Sequence, residues 1–230
     1  MKNEYKKIIK KAIVVADPNE LNLLNLENWV VCDTLEYRTK KVYILEKDKQ
    51  KIALIHSGIG LANAAETVAF VAAFFENIEG IYNYGAVGAN SDNLEVYDVV
   101  APEKFFLADA KTPWYPEGQT PGEKLFYQNN KALNYLNNNI KKTNIVSSNS
   151  FFANKEIADY YGNIFNTEIF DMEASSFSHI CDKYNIDFYC IKAISDIIGK
   201  DSPEMENINQ RIANAGKLAL KSLLEIIEKK

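Results

Sequence analysis

"FDMEASSFSHICDKYNIDFYCIKAISDIIG", Phe170 to Gly199, decides the reading of the fold. "MEASSFSHICDKYN" has helical periodicity, and "DFYCIKAIS" is a short apolar run of the kind that forms a buried strand. A helix leading into a strand is one unit of an α/β alternation. Working outward, "AIVVA" (Ala12 to Ala16) reads as a strand stopped by Asp17-Pro18, and "ELNLLNLEN" as a helix by its leucine spacing. "VYILEKD" and "KIALIHSG" are expected strands, Ala62 to Asn77 a helix, and "GIYNYGAVG" a strand ending in glycines. "YDVVAPEKFFLADA" is a long strand interrupted by proline. "KTPWYPEGQTPG" is a loop, with three prolines and two glycines in twelve residues. "EKLFYQNNKALNYLNNNI" is expected to be helical, "TNIVSSNSF" a strand and "NKEIADYYG" a short helix. The last helix has Ser202 as its cap, Pro203 in its first turn, and Ile208, Ile212, Ala215, Ala219, Leu223 and Ile227 along one face. The fold class is therefore α/β, read as one domain over residues 1–230.

Composition narrows the function. The 230 residues are 47% hydrophobic, enough for a full core, and the formal net charge is -5. Only two of the 26 basic residues are arginines, Arg38 in an expected hairpin and Arg211 in the last helix, so nucleic acid is not an expected partner. Three cysteines, Cys32, Cys181 and Cys190, have neither disulfide-framework nor zinc-site spacing, which fits a reducing cytoplasm. No targeting segment or membrane anchor is read at the basic N-terminus.

In sheets of this kind ligands collect at the carboxyl ends of strands, here "ADPNE", "HSGIG", "YGAVG" and "AISD". "HSGIGLAN" is not a dinucleotide fingerprint, because Asn63 stands at the third glycine position; a tight turn explains its glycines. Glu173 lies at the start of a helix, where a carboxylate either caps free amides or faces a ligand. Asp196 ends a strand, with solvent or a ligand for company. His179, among apolar neighbours, is read as a packing histidine, and His56 is assigned no role.

Taken together, "FDMEASSF…AISD", with "SGIG" and "NYGAVG" upstream and "GQTPG" between, resembles the 5′-methylthioadenosine/S-adenosylhomocysteine nucleosidases of the purine nucleoside phosphorylase superfamily. The resemblance implies a three-layer α/β/α fold around a mixed, partly barrel-like sheet, a homodimer, and hydrolysis of the N-glycosidic bond of a 5′-thio-substituted adenosine without metal or organic cofactor. It implies that Glu20 activates water and stays ionised, and that Asp196, its pKa raised by burial, protonates the purine, positioned by Ser195. Glu173 would hold the ribose hydroxyls, with Met172 against the sugar and 5′-sulfur. Phe151 would stack on the base and Phe152 lend its backbone to the purine edge. Ala86 stands where the family commonly has a serine near the water, and Lys192 where it has an arginine. Trp114 and Tyr115, in a loop that in the family crosses into the neighbouring subunit's pocket, are candidates for the 5′-substituent site or for a dimer contact. Met205 and Ile208 are lid candidates. The alternatives are a phosphate-dependent nucleoside phosphorylase, against which the placing of Arg38 and Arg211 and the charge of Glu20 argue, and a nucleoside-binding protein without turnover.

Overall fold

The computed structural model describes residues 4–21, 23, 26–137, 140–200 and 205–229, without the side chains of 205 and 206. Its helices are α1 (Glu4–Ile8), α2 (Leu61–Phe74), α3 (Lys155–Phe165), α4 (Ala174–Tyr184) and α5 (Met205–Lys229). Its strands are β1 (Lys11–Val15), β2 (Val30–Tyr37), β3 (Lys40–Lys47), β4 (Gln50–His56), β5 (Gly80–Ala89), β6 (Val99–Leu107), β7 (Phe126–Tyr127), β8 (Lys141–Ser147), β9 (Thr167–Asp171) and β10 (Asp187–Ile197).

One mixed sheet holds all ten strands. Its path is β10-β6-β8-β9-β5-β1-β4-β3-β2, with β7 on β6, and β10 also pairs with β5. That last pairing closes β10, β6, β8, β9 and β5 into a five-stranded barrel, from which β1, β4, β3 and β2 extend as an open arm. The partly barrel-like mixed sheet is thus observed. The strands β1, β4, β5 and β10 are mutually parallel, so their carboxyl ends open on the same side.

Alternation along β1 shows how the layers form. Ala12 and Val14 face a core completed by Ala64, Val68 and Val71 of α2 and Phe177 and Cys181 of α4. Ile13 and Val15 face the opposite core, completed by Ala215, Ala219, Leu223 and Ile227 of α5. A strand buried on both faces needs an unbroken apolar run, and "AIVVA" is one. A smaller cluster packs Ala158, Tyr161 and Phe165 of α3 on Phe106, Val146 and Phe170 of the barrel.

Three expectations are corrected. The described residues of "ELNLLNLEN" form turns and bends, and Glu27 and Asn28 take left-handed φ values of 46° and 74° that no α-helix accommodates. The stretch from Glu123 contains β7 and one 3-10 turn, Lys131–Asn134. Asn130 explains the break: its side chain accepts from Cys190 N at 2.9 Å and donates to Pro102 O at 2.8 Å, tying the segment to the barrel. The strand β9 lies where no strand was expected, while β2 and β3 form the expected hairpin around Arg38. Ser202 and Pro203, the expected cap of α5, fall outside the described residues.

Candidate active site

A cavity of about 470 Å³ opens at the carboxyl ends of β1, β5, β9 and β10. Glu20, Ala86, Phe151, Phe152, Met172, Glu173, Ser195 and Asp196 all line it, together with Ile208, Asn209 and Ile212 of α5. Residues far apart in the chain therefore converge on one nucleoside-sized space.

Glu20 is buried and held from several sides. Ala86 N–H donates to its Oε1 at 2.6 Å, and the Tyr84 hydroxyl donates to its backbone carbonyl at 3.1 Å. Gly85 and Gly216 make room for it: a Cβ on either would lie 3.0 Å from a Glu20 atom. The expectation that this carboxylate stays ionised meets an opposing effect of its burial. Burial pushes its pKa up to about 8, against the opposing pull of the Lys192 charge and the Ala86 N–H, with Glu173 raising it further.

Glu173 precedes α4, but its side chain makes no cap bond. It reaches instead across the cavity floor to accept from Gly60 N at 2.8 Å, so the "SGIG" turn orients it. Burial, then the Asp171 charge, raises its pKa to about 7. Capping falls to Asp171, which sequence reasoning did not single out. Its carboxylate accepts from Ala174 N at 3.1 Å and Glu173 N at 3.3 Å, and from the Ser147 hydroxyl at 2.5 Å. The signal available was its place two residues before Glu173, where Asp is a preferred helix-start residue.

Lys192 does not line the cavity. It is 2% exposed beneath the floor, with Nζ 3.0 Å from Asp171 Oδ2. Burial alone would depress its pKa, yet Asp171, with Cys190, Glu20 and Glu173, outweighs burial and raises it. It stays charged and compensates the carboxylates above it. Expected as a possible site residue near the water or Glu20, it forms its ion pair with Asp171.

Asp196 owes its position to a β-bulge. The β10–β5 register runs Ile194↔Val87 and then Asp196↔Gly88, leaving Ser195 as an extra residue. Neighbouring residues of a regular strand face opposite sides; here both line the cavity. The Ser195 hydroxyl donates to Asp196 Oδ1 at 2.7 Å, and Gly88 leaves space beside Oδ2.

The two phenylalanines differ. Phe152 is buried, its ring packed on Phe170 and Tyr161, whereas Phe151 is 61% exposed at the cavity wall. Trp114 is 84% exposed and absent from the lining, so it does not reach the cavity of its own chain. His179 lies elsewhere, stacked on Tyr127 and 3.1 Å from Glu123 Oε2. Ile208 lines the cavity; the side chain of Met205 lies outside the described residues.

Residues 10–228 match the phosphorylase superfamily. A 5′-methylthioadenosine/S-adenosylhomocysteine nucleosidase of Oceanobacillus iheyensis is 29% identical over 191 residues, covering 78% of this chain and 82% of the relative. One from Buchnera aphidicola is 30% identical over 169 residues, covering 69% and 72%. The solved S-adenosylhomocysteine nucleosidase of Streptococcus pyogenes, in complex with 5-methylthiotubericidin, superposes with a TM-score of 0.82 at 24% identity, covering 96% of this chain and 97% of that one. The chain belongs to the phosphorylase superfamily and, within it, to the 5′-methylthioadenosine/S-adenosylhomocysteine nucleosidases.

Proposed function

We propose that this protein hydrolyses the N-glycosidic bond of 5′-methylthioadenosine, S-adenosylhomocysteine or a near relative, releasing adenine. The observation that carries the reading is the convergence of Glu20, Glu173 and Asp196 on one cavity with no basic side chain among the described residues of its lining. Cleaving a ribosyl bond builds positive charge on the sugar and negative charge on the leaving purine. Carboxylates around the sugar stabilise the first, and a proton donor at the base relieves the second.

Asp196, supported by Ser195, serves as the acid toward the purine. Glu20 takes a proton from water on the opposite face of the anomeric carbon, and Glu173 holds the ribose hydroxyls. Glu20, its pKa raised to about 8 by burial, becomes a stronger acid as the sugar turns cationic beside it, so it is ionised when it is to take the proton of the attacking water. With Ala86 in place of a hydroxyl, backbone N–H groups orient Glu20: that of Ala86 donates to Oε1 at 2.6 Å and that of Asp17 to Oε2 at 3.4 Å. Met172 packs on the sugar and Phe151 on the base.

Phosphorolysis would require an anion among these acids, with no arginine among the described lining residues to hold it. A homodimer in the cytoplasm, acting in methionine salvage, completes the reading. The exposed Trp114 and Tyr115 supply apolar surface for a second copy, and sedimentation would then give twice the 26.1 kDa chain mass. The deciding experiment follows adenine release from 5′-methylthioadenosine with and without phosphate. Phosphate-independent release supports the hydrolase, release only with phosphate makes it a phosphorylase, and tight binding without release makes it a binding protein. Asp196→Asn is expected to lower turnover at least ~100-fold, as loss of a positioned acid does; wild-type turnover would remove Asp196 from that role.

A further inference from the structure

The charge of the cavity is one-sided. Asp17, Glu20, Asp171, Glu173 and Asp196 line it, and among the described residues no lysine, arginine or histidine does. Lys192, buried below, is already engaged with Asp171. Four of these carboxylates have duties at or beneath the reacting centre in the reading above; that of Asp17 has none assigned, although its backbone N–H donates to Glu20 Oε2 at 3.4 Å and its charge helps to raise the Glu20 pKa.

Asp17 sits just past β1, and the sheet gives its place relative to the base. Asp196 is on β10, β5 is the next strand, β1 the one after, and β4 follows, leading to the Ile59 turn. At about 4.8 Å per strand, Asp17 lies roughly 10 Å across the sheet from the Asp196 end. A nucleoside with its purine at Asp196 and its ribose at Glu173 therefore directs its 5′ substituent toward Asp17 and Ile59. The Asp17 side chain is fixed by its own turn, with Oδ1 accepting from Asn19 N at 2.7 Å and Asn19 Nδ2 at 2.8 Å. Among the described residues no lysine or arginine pairs with it. Ile208 and Ile212 lie two turns and one turn before the Gly216 that touches Glu20, and they supply an apolar wall against which a charge is weakly screened.

The geometry points to Asp17 as a specificity-determining residue that reads the charge of the 5′ substituent. Neutral and ammonium-bearing thioether tails are accepted, and tails whose only charge is a carboxylate are turned away. This inference rests on the nucleosidase reading and names its substrate class. A zwitterionic amino-acid tail is admitted through its ammonium group.

The test uses three adenosine 5′-thioethers of equal length, bearing 2-aminoethyl, n-propyl and carboxymethyl groups, and compares kcat/KM for adenine release. Two charges a few ångströms apart at a protein surface attract or repel measurably, so the aminoethyl compound should exceed the carboxymethyl one by about tenfold or more. Asp17→Asn, which keeps the acceptor for Asn19, should shrink that ratio at least about fivefold on the same arithmetic. Raising salt to about 1 M should shrink it in the wild type, which keeps the test open if the variant does not fold. Equal turnover of the two charged thioethers, or a ratio unchanged by both Asp17→Asn and salt, overturns the proposal. If the propyl compound is not cleaved either, it is the nucleosidase reading that fails, and calorimetric affinities of the same three compounds then decide the role of Asp17.

Discussion

Glu20 binds its proton in the fold up to about pH 8, whereas an unfolded glutamate releases it near about 4.3. Between those values the native state holds more protons than the unfolded one, so this group's contribution to stability is fully present below the lower value. It is lost as pH rises through about 8. Glu173, raised to about 7, acts in the same sense. Glu20→Gln removes the burden of charging a buried carboxylate: its melting temperature should exceed that of the wild type at pH 9, with the difference closing toward pH 5. Thermal melts at the two pH values check this, and the same variant should lose at least ~100-fold in turnover if Glu20 is the base. Lys192 gives the opposite case. Its ion pair with Asp171 is sealed from water, and Lys192→Met would leave Asp171 buried without its counter-ion, at a cost of about 3–5 kcal/mol in denaturant unfolding. The arginine-to-lysine departure was readable in the sequence; the partner it chose was not, because Asp171 meets Lys192 only once β9 and β10 stand in one barrel.

At the scale of elements, the clearest signals were strands buried on both faces, β1, β5 and β10, whose apolar runs have no competing explanation. The bulge in β10 left no such mark. A period-two reading sends Ser195 and Asp196 to opposite faces, and only the pairing with β5 shows both at the cavity. Helical leucine spacing misled in "ELNLLNLEN" because left-handed Glu27 and Asn28 turn the chain there. It misled again from Glu123 because Asn130 bonds with β10 backbone instead of letting a helix form. The start of α4 separates two acids that sequence alone could not rank. Asp171 caps the helix, and Glu173 holds the Gly60 amide. Asp171→Ala should therefore lower the melting temperature, losing a cap of about 1 kcal/mol and the partner of Lys192. Glu173→Gln should melt near the wild type while losing turnover and ribose recognition. Calorimetry on both variants beside their kinetics separates the roles; a Glu173→Gln change that altered stability alone would restore it as the cap.

The whole molecule sets a closed barrel, which carries the acid toward the base, against an open arm that ends in a lone edge. In the barrel β5 pairs with β1, β9 and β10, and nine residues of β10 are buried. At the other end β2 pairs with β3 alone, and of its residues only Leu35 is buried, while Val30 and Val31 are exposed. Opening β2 costs one ladder and little apolar surface; opening β5 breaks the ring and both flanking cores. Amide exchange should follow that difference. The amides of β5 and β10 should exchange only with global unfolding, at a free energy equal to that from denaturant titration, and those of β2 by local opening, orders of magnitude faster. The site spans the two regimes: Asp196 and Ala86 stand on the barrel, while Glu20 hangs on a turn after β1, held by Ala86 and Tyr84. Adenine, bound at the Asp196 end, should leave exchange in the Glu20 turn nearly unchanged, whereas a nucleoside analogue whose sugar reaches Glu20 and Glu173 should slow it together with the Gly60 amide. Protection of that turn by adenine alone would mean that the base, not the sugar, orders Glu20.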